Sequence, residues 1–360
     1  MKTMKYILPV LLTAFLIQQG TAQTFRSNVT KRGTTAAPFL SIGQGARALS
    51  MGSAYVAVAD DPSSLYWNPA GITDIYGASV VVDHSQWLAG INYNFIAGTY
   101  NLGDFGVLGM SFTGSDIDEM LVRTVENPDG NGETFAVTDV AFSIAYALRL
   151  TDKFSIGFNP KVVYQKIWHM SANAVAIDIG IKYITPFDGI ILGMSISNFG
   201  SKMQMEGSSS NVLYDPDPAT VGNNGRIPAN LSMEEWSLPL NFKFGLAYKV
   251  LNDDVNKLMI AVDAAHPSDN YESVDFGMEY IFNDFLALRG GYKSLNDLAS
   301  SLLSGPDYFS DWQDEEKGGL SLGIGVKQSV VGNVQCSFDY AYQDFGRLNN
   351  VQKFSVGILF

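Results

Sequence analysis

The final seven residues, Phe354-Ser355-Val356-Gly357-Ile358-Leu359-Phe360, constrain the fold more than any other stretch of the chain. Phe354, Val356, Ile358 and Phe360 share one face of an extended strand, Ser355 and Gly357 share the other, and Leu359 is the exception. An alternating strand that closes on an aromatic residue is the usual finish of an outer-membrane β-barrel, where lipid-facing and lumen-facing positions swap at every residue. On this reading Phe360 is the barrel assembly signal.

The same period recurs upstream. Val334, Cys336, Phe338, Tyr340 and Tyr342 alternate with Gln335, Ser337, Asp339, Ala341 and Gln343. Val274, Phe276, Met278, Tyr280 and Phe282 alternate with Ser273, Asp275, Gly277 and Glu279, and Leu238 to Val250 behaves alike. With runs near 77–83, 91–100, 105–113, 139–149, 153–165, 174–184, 190–199, 256–265, 284–293, 320–327 and 351–360, the count is about fourteen strands. Many reach about ten residues, the length that crosses a bilayer at a barrel's tilt. The fold class expected is therefore all-β, an antiparallel transmembrane barrel. The connections are expected to alternate long and short, with 114–133, 200–236 and 294–317 long. The apolar faces carry tyrosine or tryptophan near strand ends (Tyr248, Tyr280, Tyr292, Tyr340, Trp168), as in an aromatic girdle. The opposite faces carry charges of both signs, from Asp139 and Lys161 to Glu279, Arg289 and Asp339, for which mutual pairing is the default expectation.

Composition agrees. Hydrophobic residues make up 46% of the chain, yet no stretch is long and apolar enough to span as a helix. The 35 glycines and 12% aromatics suit strands and turns. The N-terminus reads as a secretory signal: Lys2 and Lys5, an apolar run Tyr6 to Ile17, then Gly20-Thr21-Ala22 before Gln23. The expected organisation is a signal peptide 1–22, a plug segment 23–76 and a barrel 77–360. The single cysteine, Cys336, rules out an internal disulfide framework. A net charge of −13 makes nucleic acid an unsuitable partner. That charge resides in segments 115–133, 200–236 and 294–317, which hold 17 acidic residues against Arg123, Lys202, Arg226 and Lys317.

Residues 36–76 break the alternation. Gly43 to Pro62 is rich in small residues, and Tyr66-Trp67-Asn68-Pro69-Ala70-Gly71 follows, with Asn68 as an N-cap and Pro69 at the first helical position. Small residues let such a segment pack inside a barrel wall. The stretch Gly45-Ala46-Arg47-Ala48-Leu49 through Trp67-Asn68-Pro69-Ala70-Gly71, with Gly52 between, resembles the N-terminal signature of the PorV/PorQ family. The ending Asp339-Tyr340-Ala341-Tyr342 and Phe354-Ser355-Val356 is similar to that family's last hairpin. The resemblance implies a relation to FadL-type barrels of fourteen strands with an N-terminal plug. It also implies residence in the outer membrane among its lipids and a role in type IX secretion, with a large translocon barrel and exported proteins bearing a carboxy-terminal signal domain as partners. The alternative is FadL-like passive transport of hydrophobic small molecules, which would show an apolar pocket near Arg47 and a lateral gap in the wall.

No catalytic constellation stands out. His84 lies near Asp83 and Ser85 without forming a triad pattern, and no His or Cys spacing suits a metal or cofactor. Asp116, Asp118 and Glu119, or Asp311, Asp314, Glu315 and Glu316, read as solvated acidic loops rather than Ca²⁺ sites. The long loops read as interaction surfaces or as a lid, through Met203, Met205 and Trp236 in one and Tyr308, Phe309 and Trp312 in the other.

Overall fold

In the computed structural model, which describes residues 31–222, 224–294, 319–332 and 334–360, alternation becomes a wall. Among these residues fourteen long strands form a closed antiparallel barrel. They are β1 (Ala78–Gln86), β2 (Asn92–Asn101), β3 (Val107–Asp116), β4 (Val137–Thr151), β5 (Phe154–Ile167), β6 (Met170–Ile184) and β7 (Ile190–Gly200). The second half is β8 (Asn241–Asn252), β9 (Asn256–Pro267), β10 (Ser273–Phe282), β11 (Leu286–Tyr292), β12 (Leu320–Val331), β13 (Val334–Asp344) and β14 (Asn350–Leu359). Each strand pairs with its chain neighbour. Closure comes from β14 against β1, with Val356 opposite Val82 and Phe354 opposite His84. Phe360 donates its N–H to Ala78 O at 2.8 Å, extending the seam by one residue. The proposed signal peptide lies outside the described residues.

The two faces are those the sequence alternation assigns. Val82, Phe142, Ile144, Val162, Met194, Leu288, Ile324 and Phe354 point outward and are exposed, a band fit for lipid. Asp83, Ser143, Asn159, Asp178, Lys182, Asp263, Glu279, Arg289 and Lys353 point inward and are buried. One ladder is thinned. Between β4 and β5 pairing passes from Ser143–Lys161 to Tyr146–Phe158, skipping Pro160, which has no N–H to give.

Strict alternation of long and short connections does not hold. Taking strand parity, 117–136, 201–240 and 293–319 all leave from one end, but 87–91, 168–169, 268–272 and 345–349 leave from the same end and are short. The tightest is the β5–β6 hairpin. Trp168 takes the left-handed conformation (φ 51°) there and stacks on His169 at 4.4 Å. The expected start of β8 at Leu238 is also corrected. Leu238 is drawn into a core with Phe39, Leu40 and Met203, and Asn198 Nδ2 donates to Pro239 O at 2.8 Å, so regular pairing begins only at Asn241.

Residues 37–75 form short helices, including α1 (Ala46–Ser50) and α2 (Ser64–Trp67), and a 3₁₀ turn at Pro69–Asp74. These pieces are too short to be stable alone. Their order comes from contacts with the inner face of the wall.

Candidate functional site

Three anchors tie segment 37–75 to inward-facing side chains. The first is ionic. Arg47 on α1 sends Nε and Nη2 to the two carboxylate oxygens of Glu279 on β10, each at 2.8 Å, and Nη1 to Asp60. Glu279 also accepts from Arg289 Nε on β11 at 2.7 Å, and Arg289 reaches Asp339 on β13 at 2.6 Å. The bidentate fork fixes geometry as well as charge. Burial alone would lower the pKa of Arg47, but Asp60 and Glu279 hold it well above the ordinary arginine value, so the guanidinium stays charged. Burial likewise raises the Tyr55 hydroxyl well above the ordinary phenol value, keeping it a donor to Asp61 at 2.7 Å.

The second anchor uses wall carboxylates as acceptors for backbone N–H groups that no helix satisfies. Asp263 on β9 accepts from Tyr55 N and Val56 N at 2.7 and 2.8 Å. Asp83 on β1 accepts from Gly45 N at 2.9 Å, and Ser355 Oγ on β14 accepts from Ala46 N at 2.7 Å. Fully buried Lys353 pairs with Asp83 at 3.2 Å and donates to Gly43 O.

The third anchor is the Trp67-Asn68-Pro69 turn. Trp67 Nε1 donates to Gln44 O at 2.6 Å, and Lys243 Nζ sits 4.2 Å over the indole ring. Asn68 Nδ2 donates to Val56 O at 2.8 Å and to Ile181 O of β6 at 3.0 Å, while its Oδ1 caps Ala70 N at 3.1 Å. The N-cap and first-turn proline read from sequence are thus present, opening a 3₁₀ turn. Trp67→Ala should destabilise the folded protein by about 3–5 kcal/mol, as for a buried tryptophan. Urea unfolding in detergent micelles would read this as a lower midpoint.

The wall is pared down to receive these anchors. Gly109 faces Ala145, Gly157 faces Gly180, Gly193 faces Gly245, Ala261 faces Gly277, Gly277 faces Gly291 and Gly323 faces Ala341. A side chain at Gly180 would meet Asn68 Oδ1 at 2.1 Å, and one at Gly277 would meet Met51 O at 2.5 Å. On the segment, Gly52 has φ +63° and lies against Tyr292 N, so it must be both left-handed and bare. Gly71 passes equally close to Ala59 O. Sequence reading missed this belt, because each glycine looked like the weak side of an alternation; only ladder register joins them.

Of the loop residues singled out, Met203 is buried with Phe39, Leu40 and Leu238, Met205 packs beside them, and Met203 and Trp236 exchange both main-chain hydrogen bonds at 2.8 Å. The root of 201–240 therefore packs against Phe39 and Leu40, whereas Trp236, Met233, Leu213 and Tyr214 stay exposed. Tyr308, Phe309 and Trp312 lie outside the described residues, as do the acids at 311–316. His84 Nδ1 bonds Asn94 Oδ1 at 2.8 Å on the outer face. A cavity of about 30 Å³ lies beside Leu40, Tyr66, Asn159 and Asp178. Cavities that hold benzene are about 150 Å³, so this one is too small for an aromatic ring, and its lining does not include Arg47.

The family described as "Type IX secretion system protein PorV" matches residues 25–213. Among curated proteins none matches. Two solved structures share the fold: the Ralstonia pickettii toluene transporter TbuX and the Pseudomonas putida toluene transporter TodX. Each superposes with a TM-score of 0.51 at 12% identity, covering 88% of this chain and 97% of its own. At that identity the likeness establishes barrel architecture alone.

Proposed function

The chain belongs to the PorV family of outer-membrane barrels, and from that premise we propose that it is an accessory or shuttle subunit of type IX secretion. In this reading it binds the translocon and exported proteins at the end that carries the long connections. Residues 37–75 are its plug. Signature residues Gly45, Arg47, Gly52, Trp67, Asn68, Pro69 and Gly71 hold that plug in the lumen, and Phe360 closes the barrel. The role is binding rather than catalysis.

The observation that supports this best is the Arg47–Glu279–Arg289–Asp339 chain together with the glycine belt. Both tie the segment to the wall on many strands at once, which suits a filled barrel acting from its rim better than an open conduit. Deleting the gene should trap proteins with the carboxy-terminal signal domain in the periplasm. The wild-type chain should restore their surface delivery. A variant with 211–230 replaced by a glycine-serine linker should not, although its barrel still forms. Full restoration by that variant would remove the 201–240 connection from the proposal. Trp236→Ala, half-exposed at the root, should leave the unfolding free energy within about 0.5 kcal/mol of wild type while lowering recovery of partners.

A further inference from the structure

Beyond its packed root, the 201–240 connection carries a free two-stranded sheet, Asn211–Tyr214 paired antiparallel with Ile227–Asn230. Its two edges differ. Leu213 stands opposite Pro228, and the pair two steps beyond Val212–Ala229 is bonded through Leu231 N–H to Ser210 O at 2.8 Å. Bonded and non-bonded pairs alternate along an antiparallel ladder, so Leu213 and Pro228 both turn their main-chain groups outward. On one edge the proline removes the donor, a common way to blunt an exposed strand. On the other, Leu213 keeps its N–H and C=O for an incoming chain. Val212, Leu213 and Tyr214 are exposed on the same strand, with Ile227 and Leu231 exposed beside them. The same connection carries Glu206, Asp215, Asp217, Glu234 and Glu235, against Lys202 and Arg226.

We propose that Asn211–Tyr214 is an open docking edge that takes one extended segment of a partner protein as an added strand. The segment it fits alternates apolar side chains with lysine or arginine, because main-chain bonds supply affinity and the acidic balance of the connection selects the charge. A second copy of this chain is a poor occupant, since its own connection carries the same acids. The proposal rests on the reading that this end of the barrel binds proteins, and it names the chemistry of what is bound.

The test uses the full chain in detergent micelles and a fluorescein-labelled octapeptide of alternating valine and lysine, read by anisotropy. Wild type should bind it, and bind the valine–glutamate octapeptide at least tenfold more weakly. Leu213→Pro removes the free N–H without touching a bond of the hairpin and should weaken binding at least tenfold. Tyr214→Lys leaves the main chain alone and should weaken it severalfold by repulsion. Absence of binding to wild type, or equal binding to wild type and Leu213→Pro, would overturn the proposal. So would concentration-dependent dimers abolished by Leu213→Pro, which would give the edge to a second copy. The type IX reading fails separately, if deletion of the gene leaves surface delivery intact.

Discussion

Glu279→Gln should convert a quiet barrel into a conducting one. Glu279 is buried and accepts three charged N–H bonds, two from Arg47 and one from Arg289. An amide of the same size cannot neutralise either guanidinium, and removing one partner of a buried charge pair costs about 3–5 kcal/mol. Asp60 and Asp339 would remain on the outer arms of the network, so the loss falls on the link between α1 and β10. The wall ladder on both sides of β10 uses main-chain groups only and should survive. The expected outcome is a protein that still inserts and shifts on heating in gels, yet shows ion-conducting openings in planar bilayers that wild type lacks. If conductance matches wild type, Arg47 is not what retains the segment.

Gly180→Val should have an effect of similar size by a different route. The added carbon would lie 2.1 Å from Asn68 Oδ1 and 2.7 Å from Pro69 Cδ, at the cap and first residue of the 3₁₀ turn Pro69–Asp74. Asn68 is fully buried with its amide pinned by bonds to Val56, Ile181 and Ala70, and Pro69 Cδ belongs to a ring, so the turn has to leave. Overpacking of this kind costs about 3 kcal/mol, and the hydrogen bonds of Asn68 to Val56 and Ile181 go with it. Trypsin should then cut near Arg47 in the folded barrel, where wild type resists. Gly98→Val is the matched control. Its nearest neighbour is 3.7 Å away on the outer face, so it should behave as wild type. Equal protection in both variants would contradict a tightly seated segment.

The contrast between these sites explains what could be read in advance. Strand faces were legible because a residue's side of a sheet depends only on its parity, and membrane and lumen demand opposite chemistry. Glu279 and Phe276 therefore declared themselves locally. The partner of Glu279 did not, because Arg47 lies 232 positions away and nothing in either neighbourhood encodes the meeting. Asn68-Pro69 announced its cap, but the reason for Gly180 opposite it appears only once β5, β6 and the segment are in register. Leu238 misled for the same reason: its alternation with Leu240 is genuine, and a core formed with Phe39 and Met203 outcompetes the strand. Connection lengths were misjudged at 168–169, where a left-handed tryptophan closes a hairpin that its composition gives no sign of.

Mild-detergent pull-down of the tagged full chain from its own outer membrane, with the recovered proteins identified by mass spectrometry, tests the central claim most directly. The account predicts a very large translocon barrel, together with surface proteins that share a carboxy-terminal signal domain. A clean monomer carrying only lipid or a hydrophobic small molecule would contradict it, and would favour passive transport through a lumen that opens when the Arg47 network lets go.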